Sequence, residues 1–132
     1  MGAGKQPMSI TIRRVYDKPG KNEGFRVLVD RVWPRGVSRE EAGIDDWNKD
    51  VAPSAGLRKW FGHEPGKWME FRKRYWQELD DNLAAVASLL EKVRKGRVTL
   101  VFGARDQQHN NAVALREYIE RKAGERTGAE PE

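Results

Sequence analysis

Arg26–Gly36 reads RVLVDRVWPRG, an apolar run that closes on a proline and then a glycine. Val27, Leu28 and Val29 form an unbroken β-branched and aliphatic stretch, the pattern of a strand covered on both faces. Pro34 has no N–H to continue a ladder, so a strand is expected over Arg26–Val32. At its end and just past it stand Asp30, Arg31, Trp33, Arg35 and Gly36, where open α/β sheets hold their ligands.

The neighbouring segments fit a strand of that kind. Upstream, SITIRRVY at Ser9–Tyr16 alternates Ile10 and Ile12 with Thr11 and Arg13 and reads as a first strand. DKPGKNEG at 17–24 is turn chemistry, a surface loop open to a flap role. Downstream, SREE at Ser38–Glu41 has capping-box spacing, which predicts a short helix directly after the WPRG turn. Ile44–Pro53 has no sustained period and reads as an irregular crossing with Trp47 and Val51 inward.

Helices follow. Ser54 caps one through Leu57, Trp60 and Phe61 that Gly62 stops, and His63 and Glu64 form a joint. From Pro65, the residues Trp68, Phe71, Tyr75, Trp76 and Leu79 recur at spacings of three and four, with a basic outer face. The stripe resumes at Leu83, Val86, Leu90 and Val93. One helix from Pro65 to Lys95 would be about 45 Å long, too long for a domain of this size, so a break is expected at Asp80–Asn82. Gly96 ends the second part, VTLVF at Val98–Phe102 is another buried strand, and a last helix carries Ala112, Leu115, Tyr118 and Ile119 inward. Strands alternating with helices predict an α/β single domain, a small mostly parallel sheet flanked by helices.

Composition sets the outer limits. With 132 residues and 38% hydrophobic content, the chain can bury a core without staples. It contains no cysteine, which removes thiol nucleophiles, iron–sulfur clusters and disulfides from its own chemistry and fits a reducing compartment. Two histidines do not make a histidine-rich metal cage, and no metal site is expected, although a site mixing them with carboxylates stays open. No apolar run approaches the ~18 residues of a membrane span, so a cytoplasmic protein without a membrane partner is expected. Residues 1–8 and 123–132, rich in small and polar side chains, are expected to be flexible extensions around a domain at 9–122.

VDRVWPRG at Val29–Gly36, WNKDVAPS at Trp47–Ser54, LRKWFGHEP at Leu57–Pro65 and VTLVFGARDQQHNNA at Val98–Ala112 together resemble the DUF488 family, in its short YeaO-like branch. The resemblance covers Met8–Lys122 and implies a cytoplasmic α/β domain of unsettled activity. Longer relatives carry cysteines and a Cys-His-Arg run near the final strand-to-helix turn. The matching positions here are Phe102, Asn110, Asn111 and Ala112, so thiol chemistry does not transfer.

Two turns carry the candidate site. Arg31 and Arg35 flank Trp33, and two guanidinium groups beside an aromatic plane suit a phosphate or carboxylate on a flat group. The structural alternatives are Arg31 paired with Asp30 or Asp50, and Trp33 as core. Asp106, His109, Asn110 and Asn111 open the last helix, where free N–H groups favour an anion. His109, with Asp106, is the candidate acid or base. Asp106 is equally a helix cap, Asn111 a buried amide tying loops together, and His63 a second-ranked ligand contact or a helix-end partner.

The expected function is binding of, or action on, a small anionic molecule, with cofactor, enzymatic status and oligomeric state left open. The alternatives are a protein-interaction module and a nucleic-acid binder. A net charge of +5, the balance of 25 basic and 20 acidic residues, supports only weak, nonspecific contact with nucleic acid. No P-loop, dinucleotide fingerprint or Gly-x-Ser-x-Gly elbow occurs.

Overall fold

A computed structural model of the chain describes residues 9–128. Four parallel strands form one sheet in the order β1-β4-β2-β3: β1 Ile10–Arg14, β2 Phe25–Leu28, β3 Asp46–Trp47 and β4 Val98–Phe102. Five helices flank it: α1 Arg39–Ala42, α2 Ala55–Phe61, α3 Trp68–Asp80, α4 Leu83–Lys95 and α5 Asn111–Gly128. The strands expected at 10–16, 26–32 and 97–102 therefore share one parallel sheet, as the alternation implied.

The two faces of the sheet are covered unequally. Val27, Val29, Val98, Leu100 and Phe102 point into a large core with the buried residues of α2 to α5. Leu28 and Val101, on the opposite face, meet Val15, Ala42 and Ile44 under a thinner cover that includes Trp33 and Trp47. All five residues of β4 are buried, which matches a strand with neighbours on both edges and cover on both faces. Tyr75 is fully buried in the larger core and its hydroxyl donates to the Val51 carbonyl, satisfying a polar group that no water reaches.

Local signals explain the helix ends. Ser38 and Glu41 form the reciprocal capping box, Ser54 Oγ accepts from the Leu57 N–H, and Gly43 and Gly62 close α1 and α2 in left-handed conformation. The break between α3 and α4 falls after Asp80, as expected. Leu83, placed on the inward stripe by its spacing, is 57% exposed; α4 buries Val86, Leu89, Leu90 and Val93.

Three expectations are corrected. The central strand ends at Leu28, with one last ladder bond from Val29 N–H to the Val101 carbonyl, so Asp30–Val32 lie outside it. The crossing at Ile44–Pro53 contains the edge strand β3 and a 3-10 turn at Lys49–Val51, elements too short to leave a period in the sequence. Helix α5 runs on to Gly128, into the stretch expected as a tail from 123; residues 1–8 and 129–132 fall outside the described residues.

The 17–24 loop is anchored at Glu23. Glu23 is buried, pairs with Arg26, receives Arg13 Nε at 2.7 Å and accepts the Gly20 N–H at 2.8 Å. Burial raises its carboxyl, but the Gly20 N–H and the two guanidinium groups outweigh burial and hold it below the usual carboxylate value.

Gly24 turns the chain into β2 with φ of +69°, and a Cβ there would stand 2.2 Å from the Arg97 carbonyl oxygen. Gly24→Ala is expected to cost about 3 kcal/mol or more, from left-handed strain and backbone overlap together. Gly56, inside α2 with open space around it, is the opposite case: Gly56→Ala is expected to stabilise by about 0.5–1 kcal/mol. Urea titrations of both variants measure the pair; equal effects would break the argument.

Candidate functional site

Because every strand is parallel, the segments after β1, β2 and β4 all leave the same edge of the sheet. The turns WPRG and DQQHNN meet there. Asn111 Nδ2 donates to the Val29 carbonyl and to Asp30 Oδ1, each at 3.0 Å, and the Gly103 N–H donates to Asp30 Oδ2 at 2.9 Å. A Cβ at position 103 would lie 3.1 Å from that oxygen, so glycine keeps the approach open. Asp30 thus replaces the ladder where β2 stops and ties the end of β2 to the starts of α5 and the post-β4 turn.

Burial is the largest influence on Asp30 and raises its carboxyl above the ordinary value; the Asn111 amide, the Gly103 N–H and the charge of Arg58 only partly offset it. An aspartate raised in this way contributes stability that is present below its unfolded value and is lost as pH rises through its folded one.

Around this latch lies a cavity of about 290 Å³. Its apolar wall includes Trp33, Pro34, Phe61 and Phe71. Its cationic lining is Arg31, Arg35 and Arg58, with His63 and His109 beside them. Asp30 is the single carboxylate among the described lining residues. Of the candidates named from sequence, Arg31, Trp33, Arg35, His63 and His109 border the cavity together with Asn110 and Asn111. Asp106 stands behind His109.

The individual roles differ. Arg31 does not pair with Asp30 or Asp50: its Nε donates to the Pro53 carbonyl at 3.0 Å and its Nη2 to that of Ala52 at 3.3 Å. It braces the segment ahead of α2 while its charge stays at the cavity. Trp33 is half-buried, donates to the Val37 carbonyl at 2.6 Å and meets Trp47 edge-on at 5.3 Å, so it closes its own turn as well as lining the space. Arg35 is exposed, and its carbonyl accepts the Tyr16 hydroxyl at 3.0 Å. No peptide bond among the described residues is cis, that before Pro34 included.

In the second turn, Asp106 is not the cap of α5. Asn110 is: its Oδ1 accepts the Val113 N–H and its Nδ2 donates to the Asp106 carbonyl, both at 2.9 Å. Asp106 instead organises the turn, Oδ1 accepting from the N–H groups of Gln108 and His109 and Oδ2 meeting His109 Nδ1 at 3.0 Å. Those backbone donors first, and then the imidazole, hold the Asp106 carboxyl below its usual value. The ionised carboxylate can only accept, so it selects the tautomer with the proton on Nδ1 and leaves Nε2 as the ring's acceptor. Trp68 supports the ring edge-on at 5.3 Å.

His63 is exposed, takes φ of 59° and sits 6.4 Å from the Phe61 ring, at the mouth of the cavity. Arg58, absent from the sequence-derived set, enters from α2 one residue after buried Leu57. Its only sequence signal is that position, on a helix that starts just after the segment Arg31 braces. Among the described residues no cluster of three histidine, aspartate or glutamate side chains could hold a metal ion, and no helix is long and apolar enough to cross a membrane.

Comparison with known proteins gives a consistent result. A family model described as the inactive DUF488-N3 subclade matches residues 9–132. The chain is 35% identical to the uncharacterized protein YeaO of Escherichia coli over 112 residues, 85% of this chain and 97% of that protein. It is 38% identical over 110 residues to the uncharacterized proteins Mb3100c of Mycobacterium bovis and Rv3073c of Mycobacterium tuberculosis, covering 83% of this chain and 92% of each. No solved structure matches it.

The latch makes a sharp prediction. Asn111→Asp sets a second carboxyl against Asp30, so the folded pair retains a proton above the normal range and stability rises as pH falls. The variant is expected to lose about 2–3 kcal/mol near neutral pH, with the gap to wild type narrowing toward pH ~5. Thermal melts across that range check it; a gap independent of pH would mean Asp30 is not ionised in the wild-type latch.

Proposed function

The chain belongs to the DUF488 family, on a branch whose model is described as inactive, and from that premise we propose that it binds a small anionic molecule in this cavity without transforming it. The supporting observation is the imbalance of charge: three guanidinium groups and two imidazoles border a space whose one carboxylate already accepts from Asn111 and Gly103. In this reading Arg35 and Arg58 grip the anionic group, and Arg31, held by two carbonyls, adds charge without moving. Trp33, Pro34, Phe61 and Phe71 cover an apolar or flat body attached to that group. A small planar molecule bearing a phosphate monoester or a free carboxylate fits this chemistry.

A second reading, catalysis, has one observation in its favour. The Asp106–His109 pair has the geometry of an oriented general base, with Nε2 left to accept a proton. Weak nucleic-acid binding rests on net charge alone, and on this reading it is lost by about 200 mM salt.

Thermal-shift titration with inorganic phosphate, nucleoside monophosphates and aromatic carboxylates tests the binding reading. At saturation an accepted ligand is expected to raise the melting temperature of wild type by about 3 °C or more. That rise should be lost in Arg58→Ala and reduced in Arg35→Ala. Stabilisation unchanged in both variants would remove the site. Proton NMR of the same mixtures separates the two readings: product that accumulates with wild type and not with His109→Ala would replace binding by catalysis.

A further inference from the structure

The sheet order leaves β1 on an edge, and among the described residues only β4 pairs with it. The Ser9 carbonyl accepts from the Val98 N–H at 3.0 Å, and the Val15 N–H donates to the Phe102 carbonyl at 2.7 Å. The odd-numbered residues of the strand therefore face β4. In a parallel ladder alternate residues face opposite edges, which turns the N–H and C=O groups of Ile10, Ile12 and Arg14 outward. An unpaired row of this kind is a template for another strand.

Beside that row, between β1 and the flank of α5 at Val113 and Arg116, runs a groove of about 400 Å³. It shares no lining residue with the cavity described above. Ile10 and Ile12 form part of its floor; Arg13 beside it is paired with Glu23, while Arg14 and Arg116 stand along it against one lining carboxylate, Asp17. A strand edge next to a helix is the arrangement that takes an extended peptide by strand addition, the main chain giving affinity and the side chains specificity.

We propose that this groove binds an acidic peptide segment of a partner protein, which adds to β1 as a fifth strand. Charge selects that occupant. A second copy of this chain brings +5 against +5, which opposes its approach. A free inorganic anion leaves the outward N–H groups of β1 unused. An extended chain that turns alternate glutamates to the α5 side meets Arg14 and Arg116 there, with the backbone row of β1 along its edge.

The test is fluorescence anisotropy with a labelled eight-residue peptide of alternating valine and glutamate. Three partners are compared with it: the same peptide N-methylated at alternate residues, an acidic peptide of equal charge in which proline replaces valine, and a valine–lysine peptide. Saturable binding of the first is expected, weakened about tenfold or more by N-methylation and by Arg116→Glu, and absent for the proline and lysine peptides. The N-methyl arm leaves the protein untouched, so it decides even where Arg116→Glu fails to fold. Equal binding of the proline peptide would reduce the effect to bulk charge and overturn the proposal. So would absence of saturable binding, which would make the arginines a guard against edge pairing. A dimer in sedimentation that the valine–glutamate peptide does not dissociate would assign the edge to a second copy instead.

Discussion

Strand β4 is the constraint on which the rest depends. It comes last in sequence and lies between β1 and β2, which never touch each other, and it supplies the ladder partner of both. Its five residues are buried on both faces, so Val98, Leu100 and Phe102 seat the helical layer while Val101 seats the thinner cover of α1. The sheet cannot be completed from the first half of the chain. Closing so long a loop before any ladder reward makes this a topology of non-local contacts, dependent on the helices α3 and α4 to bring β4 back.

The same insertion builds the site. With β4 beside β2 and parallel to it, the chain segments that follow each strand emerge side by side, and the Asp30–Asn111–Gly103 hydrogen bonds hold them together. The site is therefore a consequence of strand order more than of either turn taken alone. The buried Glu23 with Arg13 and Arg26 plays a comparable part on the other side of the sheet, anchoring the loop before β2 and, through the Glu23 carbonyl that accepts from Thr99, reaching β4.

What could be read in the sequence follows from physical scale. Runs such as VTLVF and the stripe from Trp68 to Leu79 carry enough periods to declare their element, and the caps at Ser38, Ser54, Gly62 and Gly96 announce themselves through backbone chemistry. A two-residue strand such as β3 has no period to read. Reading the end of β2 from Pro34 places it too late, because Asp30, accepting from Gly103 and Asn111, has already left the ladder. Much of the polar lining is legible because sheet topology brings those turns together. Arg58 is not, since it reaches the cavity from a helix whose own pattern records only which face is buried. The alternative reading of Asp106 as the cap of α5 falls one turn short of Asn110, because either side chain can satisfy the same kind of N–H.

The aromatic rings at the site give the protein an optical reporter of its own. Trp33 lines the cavity and meets Trp47 at 5.3 Å, while His109 lies 5.3 Å from Trp68. A protonated imidazole quenches indole emission and a neutral one does so far less, so the intensity of Trp68 records the charge of His109. The emission of Trp33, set by how much water its ring meets, records whether the cavity is filled. In a variant lacking the other three tryptophans, Trp47, Trp60 and Trp76, these two indoles report the two halves of the site separately, one through proton occupancy and one through solvent exclusion.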